Sequence, residues 1–439
     1  MTNLLYYARA VHFAASISAA GVVFFVVFIA EPALRKTRDG AHLIASLRSW
    51  LAWIAWTSLA LAVLSGVAWL FLTAASMSGQ PVSEVLPQGA LWIVVSQTDF
   101  GNDWLARFVL ACLLAGAFVP LFSAMGARSL RLKTAAVILA AALVGSLAFA
   151  GHAIGGEGVE GVVHPLADVL HLIAASAWVG ALAPLALLLT LTGEGADTLA
   201  VTRAATLRFS TLGIVSVATL LATGLVNTWY LVGSVAALSG TGYGRLLLVK
   251  LALFAIMVAI AAWNWSQLTP RLVQEPDAEA ARKARSQLRR NATIEASAGA
   301  IIIGIVAVLG TLPPASHAHH EAAASSIPAD AAFVHLHGEN GMAEVTIEPG
   351  HTGASTATIR LWDQNFDPAS AADPVTLMLT APAPGSKPIS RLAAQGSDGL
   401  WHVDNIQLPE PGNWTVDVDA VFNPTSRLRV AAPIVIDPK

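Results

Sequence analysis

The sequence predicts an all-α polytopic membrane bundle of eight transmembrane helices, N-out and C-out, followed by a C-terminal extracytoplasmic β-sandwich. Three observations predict it. Only 12% of the 439 residues are charged and 55% are hydrophobic, whereas a soluble domain carries about a quarter charged residues. Eight apolar stretches reach the ~20 residues that cross a hydrocarbon core as a helix. Beyond Leu312 the chain changes to short alternating runs broken by Gly, Pro, Asn and Asp.

The apolar stretches are roughly 5–31, 50–75, 105–125, 132–151, 166–191, 207–233, 245–267 and 293–312. The first is too long for the core of a signal peptide and no small-residue cleavage site ends it, so it reads as the first membrane helix. Every second connection is basic. Arg35, Lys36, Arg38 and Arg48 follow the first stretch; Arg128, Arg131 and Lys133 the third; Arg203 and Arg208 the fifth; Arg271, Arg282, Lys283, Arg285, Arg289 and Arg290 the seventh. The connections 76–103, 152–165 and 234–244 contain no Lys or Arg. Lys and Arg collect on the cytoplasmic side, which sets both termini outside. Trp50, Trp104, Trp229 and Trp265 near span ends suit interfacial anchoring. In the long outer loop, Leu86–Ser96 is apolar but too short to span; it reads either as an interfacial or capping segment or as a partly buried strand. No internal repeat is evident.

The chain divides into a membrane domain over residues 1–314, a His-containing linker over 315–330 and a β domain over 331–439. Pro313-Pro314 ends the last helix. The strand-like runs include Ala343–Ile347, Ala357–Trp362, Val375–Leu379, Trp401–Ile406, Trp414–Val421 and Leu428–Ile436. Short strands at this spacing predict a sandwich.

The small net charge of −3 implies no nucleic-acid partner. The single cysteine, Cys112, excludes an intrachain disulfide framework. With six methionines and twelve histidines, a bound metal must draw mostly on imidazole. Ionisable groups inside spans are costly, so each is a functional candidate. His12 lies two turns into the first span, His152 ends the fourth, and His164 and His171 lie in the first turns of the fifth. His164, Asp168 and His171 follow i, i+4, i+7 and share a helix face. Imidazole with carboxylate suits copper or zinc rather than magnesium or calcium. The competing reading for any single histidine is a hydrogen-bonded core or interface residue; His42, in a basic loop, reads as a surface residue. Glu31 and Glu295 read as an inner gate or relay, or as partners of arginines such as Arg35 and Arg289. Arg107 and Lys250 near outer helix ends read as snorkelling cations, and Asn227 and Asn264 as interhelical pairs. In the linker, His317, His319 and His320 form a short tract able to hold Cu(II) or Zn(II) weakly. His335 and His337 alternate on one strand face, a spacing that suits a shared metal or is a chance feature of a solvated face. His351 and His402 carry no assigned role.

At these residues the chain resembles a family. ARAVHFAA (8–15), TDFGNDWLAR (98–107), GHA (151–153), ADVLHLIAASAWVGAL (167–182), NTWYLVGS (227–234), TGYGRLLLVKLALF (241–254) and RRNATIEAS (289–297) resemble the CopD/PcoD copper-resistance membrane proteins, in family order across nearly all of 5–315. The β domain, with FVHLHG, GLWHV and PGNW, is similar to the YtkA/FixH-like domains fused to that family, and lacks the complete His/Met pattern of the related CopC chaperones. The resemblance implies copper handling at the bacterial inner membrane, with His12, His152 and His171 as the membrane histidines and His335 and His337 as the histidine strand of a periplasmic domain.

Three function classes follow. The first is a copper-ion transporter, Cu(I) or Cu(II), embedded in the lipid bilayer and served by a periplasmic copper chaperone. No P-loop is present, so no ATP drives it from this chain. The second is a b-type cytochrome whose haem is held by the same histidines; a copper sensor or delivery protein without flux is the third. No nucleophile–base constellation or metalloprotease helix is present, so no enzyme is predicted.

Overall fold

Among the described residues the apolar stretches fold as eight helices long and apolar enough to cross a membrane: α1 Leu4–Leu34, α2 His42–Ser78, α3 Asp99–Leu121, α4 Leu130–Ala150, α5 Gly161–Leu191, α6 Thr198–Val232, α7 Gly242–Gln274 and α8 Glu279–Leu309. The computed structural model describes residues 2–35, 41–78, 81–87, 89–123, 129–150, 160–192, 196–232, 235–274, 278–312, 328, 330–338, 341–363, 369, 372–382, 387–423 and 426–439. Several helices begin well before their apolar runs. The polar starts of α2 and α8 are rich in Ala, Leu, Arg, Lys and Glu, which hold a helix in water as readily as lipid does. His42, expected in a loop, therefore lies in the first turn of α2, exposed. Thr98 and Thr241 cap α3 and α7 by accepting the amide protons of Gly101 and Gly244 at 3.1 and 2.9 Å. The segment after Val85 is a short helix, Ala90–Gln97, which removes the strand alternative. It seats Ala90 and Val94 on Leu70, Ala74 and Ala75 of α2, so it caps the helices beneath it.

The first helix is central, packed on α2, α4, α5 and α8. Large buried side chains such as Phe25, Ile29, Leu114, Phe118, Trp178 and Leu182 fill the interior, while Trp53, Leu64, Ile138 and Leu225 point outward. Apolar residues on all sides are what a helix in lipid requires. The crossing of α1 and α5 is the tightest: a Cβ added to Gly180 would overlap the Ile17 carbonyl and Gly21, and one added to Gly21 would overlap the Gly180 backbone. Small residues at such crossings let backbones touch where lipid offers no hydrophobic drive.

Two buried carboxylates find partners other than the expected arginines. Glu31, which follows a π-helical turn at Phe25–Ala30, pairs with Lys133 of α4 rather than Arg35. Glu295 of α8 accepts from Asn264 at 2.9 Å rather than meeting Arg289, and Asn264 in turn accepts from Asn291 at 2.7 Å. A second π turn, Asn264–Leu268, carries that asparagine; such turns shift which side chains face a neighbouring helix. Removing one member of a buried pair leaves an uncompensated charge. Lys133→Met is expected to destabilise the bundle by about 3 kcal/mol, and adding Glu31→Gln to recover most of it, as read by thermal inactivation in detergent.

The remaining strands form two antiparallel sheets. They are β1 Ala332–Gly338, β2 Gly341–Glu348, β3 Gly353–Asp363, β4 Val375–Thr380, β5 Ile389–Leu392, β6 Ala394–Gln395, β7 Trp401–Leu408, β8 Gly412–Asn423 and β9 Ser426–Ile436. One sheet runs β1-β2-β3-β7-β6 and the other β5-β4-β8-β9. Alternate residues of both, including Val345, Ile359, Trp401, Trp414 and Val418, share one apolar core. By chain contacts the protein divides into Met1–Ala318 and His319–Lys439.

Two surface carboxyls of the β unit lie below the usual carboxylate range. Asp398 is held down first by the Leu400 amide and then by the His402 ring, and Asp419 by its hydrogen bond from Arg427. A depressed folded value stabilises above the unfolded value of about 3.9 and is lost as pH falls through the folded one. Asp419→Asn is thus expected to lower the melting temperature at neutral pH, where the contribution is fully present, and to flatten its fall below about pH 4, so that variant and wild type converge in acid; an unchanged acid limb contradicts it.

Candidate metal centre

Among the described residues, each membrane imidazole meets the helix that follows its own in the chain. His12, on α1, is buried, and its Nδ1 lies 2.8 Å from the Ala62 carbonyl of α2. A carbonyl only accepts, so Nδ1 carries the proton and Nε2 the lone pair. That Nε2 is buried and, among the described residues, has no hydrogen-bond partner. Ser65 lies 3.5 Å from Nδ1 but has its hydroxyl on the Leu61 carbonyl at 2.5 Å. A Cβ at Gly66 would sit 3.1 Å from the ring, and Trp69 meets the ring edge-on at 5.6 Å.

Trp69 also gathers two cations. The guanidinium carbons of Arg9 and Arg107 stand 5.1 and 5.4 Å from its ring centroid. Arg9 donates to the Gly310 carbonyl at 3.0 Å. Arg107, expected to snorkel, is instead 3% exposed, with Asp103 at 3.9 Å. The indole face and a carboxylate one turn back hold it inward. Its place two turns inside α3, beside that Asp, is the signal the sequence offered.

His171, on α5, meets Thr223 of α6 at 2.9 Å through Nδ1. The Thr223 hydroxyl donates its one proton to the Thr219 carbonyl at 2.7 Å, so it accepts from the imidazole. Nε2 of His171 therefore also carries the lone pair. Asp168 accepts from Asn227 at 2.5 Å, so this asparagine does join two helices. The Lys250 ammonium of α7 lies within electrostatic reach of Asp168 and His171. His164 is buried and stacked on Tyr230 at 5.2 Å, its Nε2 also without a partner among the described residues.

His12 and His171 thus have different partners, from α2 and α6. His152, His317, His319 and His320 lie outside the described residues, as does the side chain of His337; His335 sits on β1 against Glu344 and Met342. Among the described residues no three of His, Cys, Asp and Glu converge closely enough to hold a metal ion.

Two family models match the membrane helices in succession. Copper resistance protein D-like, N-terminal domain, matches residues 1–162, and copper resistance protein D matches 203–309. Copper resistance protein D of Pseudomonas syringae pv. tomato is 34% identical over 287 residues, covering 64% of this chain and 87% of that protein. Copper transport protein CutJ of Bacillus subtilis (strain 168) is 28% identical over 339 residues, 76% of this chain and 58% of that protein. Inner membrane protein YebZ of Escherichia coli (strain K12) is 35% identical over 226 residues, 51% of this chain and 72% of that protein. Eight apolar helices, buried imidazoles and these matches together place the chain in the copper resistance protein D family.

Proposed function

We propose that the chain carries copper ions across the bacterial inner membrane through the imidazoles of α1 and α5, with both termini and the β-sandwich on the periplasmic side, where a copper chaperone delivers the ion. The reading rests on His12. Its ring is buried, its Nδ1 proton is fixed by a backbone carbonyl, and its Nε2 lone pair has no partner among the described residues. A histidine that ligates a metal has this arrangement: one nitrogen donates to an oxygen and the other faces the ion. His171 repeats it with a hydroxyl as acceptor. A site of few ligands also suits transit, since an ion must bind well enough to enter and weakly enough to leave. Copper is the substrate here, and the chain's role is to desolvate and pass it. The test is copper accumulation in cells that rely on this chain. The double variant His12→Ala/His171→Ala is expected to lose chain-dependent accumulation; wild-type accumulation by a folded double variant overturns the proposal.

A further inference from the structure

We infer that the membrane unit is a duplicated four-helix module carrying two equivalent copper pockets, one per repeat; that the ligand is copper rests on the function proposed above. His12 and Gly21 of α1 recur nine residues apart as His171 and Gly180 of α5. Ser65-Gly66 of α2 recurs as Thr223-Gly224 of α6, and in each repeat hydroxyl and glycine lie against that repeat's imidazole. Thr98, Gly101 and Arg107 of α3 recur at the same spacing as Thr241, Gly244 and Lys250 of α7. Both threonines cap their helices through those glycines. Matched helices lie four spans apart, so they run in the same direction, and the repeats are related by an axis along the membrane normal. The packing of Gly21 on Gly180 brings equivalent residues together, which places that axis at the α1–α5 crossing. Each pocket then has an imidazole with its proton on Nδ1 and its lone pair on Nε2, a small-residue wall from the next helix, and a cation two turns into the third.

The test is anaerobic titration of the full chain in detergent with Cu(I) or Ag(I). His12→Ala and His171→Ala are each expected to lower the count by one equivalent and the double variant by two. Thr223→Val, which keeps the ring but removes its orienting oxygen, is expected to weaken one equivalent roughly 10–100-fold. Loss of the same single equivalent by either alanine variant, with nothing further in the double variant, overturns the inference. So does an undiminished count in folded variants. Cellular uptake is read separately, so two bound ions without flux sink the transport reading and leave this one standing.

On the β unit, the geometry points to a soft-metal site formed by His335 and Met342. The ladder of β1 and β2 pairs His335 with Glu344 and His337 with Met342. Ala343, Val345 and Ile347 enter the core, so Met342 and Glu344 share the opposite face of the sheet. His335 Nδ1 lies 3.2 Å from Glu344 Oε1, and a carboxylate at that distance favours the tautomer with the proton on Nδ1. Nε2 then meets the Met342 sulfur at 2.6 Å. The sulfur has no proton to give, and a neutral ring offers only a lone pair. Two acceptors aimed at each other are the two ends of a ligand pair, and carboxylate–histidine–metal is a recurrent relay. Trp362 stacks on the ring at 6.4 Å, and Arg360 approaches the second Glu344 oxygen at 3.8 Å. Imidazole with thioether selects Cu(I) over harder ions. If the ring is protonated before binding, the ion replaces the Nε2 proton, which is released to solvent.

The test is copper K-edge absorption of the full-length His12→Ala/His171→Ala chain loaded with Cu(I). A sulfur neighbour is expected. Met342→Leu conserves volume, and is expected to abolish that sulfur signal and remove one bound equivalent while circular dichroism stays unchanged. Glu344→Gln is expected to weaken the same equivalent roughly 10–100-fold. An unchanged sulfur signal in Met342→Leu overturns the site, whatever the outcome for the membrane pockets.

Discussion

Gly180→Val is expected to leave no folded bundle. Overpacking a core ordinarily costs about 1–3 kcal/mol, because side chains rotate away from the added atoms. At Gly180 the added atoms meet the Ile17 carbonyl and the Gly21 backbone, and backbone has no rotamer to change. The helices must separate, and that opens the crossing on which α1 packs against α5. A loss well above about 3 kcal/mol is a large fraction of the ~5–15 kcal/mol that keeps a protein folded. The measurement is the monodisperse fraction after detergent extraction. Gly116 is the control: a Cβ there meets nothing within 4 Å, so Gly116→Ala is expected to extract as well as wild type and to gain up to about 1 kcal/mol of helix propensity. Equal yields of Gly180→Val and wild type contradict the packing described.

His12→Ala is expected to weaken copper binding to the first pocket at least tenfold. Loss of an outer partner of a metal histidine costs roughly 10–100-fold, and here the imidazole itself goes. Its only described hydrogen-bond neighbours are the Ala62 carbonyl and Ser65, so no second imidazole stands ready to replace it. The cavity left behind is destabilising too, so the variant is compared at equal folded amount. The α5 pocket supplies the internal reference: its equivalent is expected to be retained in His12→Ala and lost in His171→Ala.

Much of this was legible in the sequence because lipid leaves few choices. A span must be about 20 apolar residues, its ends must be marked by charge, and a buried histidine must have a reason. The eight helices, the change to strands and the candidacy of His12 and His171 all follow from those rules. What they omit is which helix lies beside which. Arg107 reads as snorkelling until Trp69 of α2 is seen over its guanidinium. Glu31 has Arg35 one turn away in sequence yet meets Lys133 across the bundle. Met342 is an ordinary strand residue until the β1–β2 register brings its sulfur to His335. The repeat is hidden for a different reason. Its members share spacing and chemistry but not identity, Ser for Thr and Arg for Lys, and unequal connections break the alignment. Only when both imidazoles are seen resting against a glycine of the following helix do the halves match.

The central claim is that the Nε2 lone pairs of His12 and His171 grip the ion. Anomalous diffraction from crystals loaded with copper tests it most directly. Two metal peaks are expected in the membrane unit, one bonded to each Nε2. Copper bonded through either Nδ1, or a loaded membrane unit with no peak at either ring, contradicts the claim.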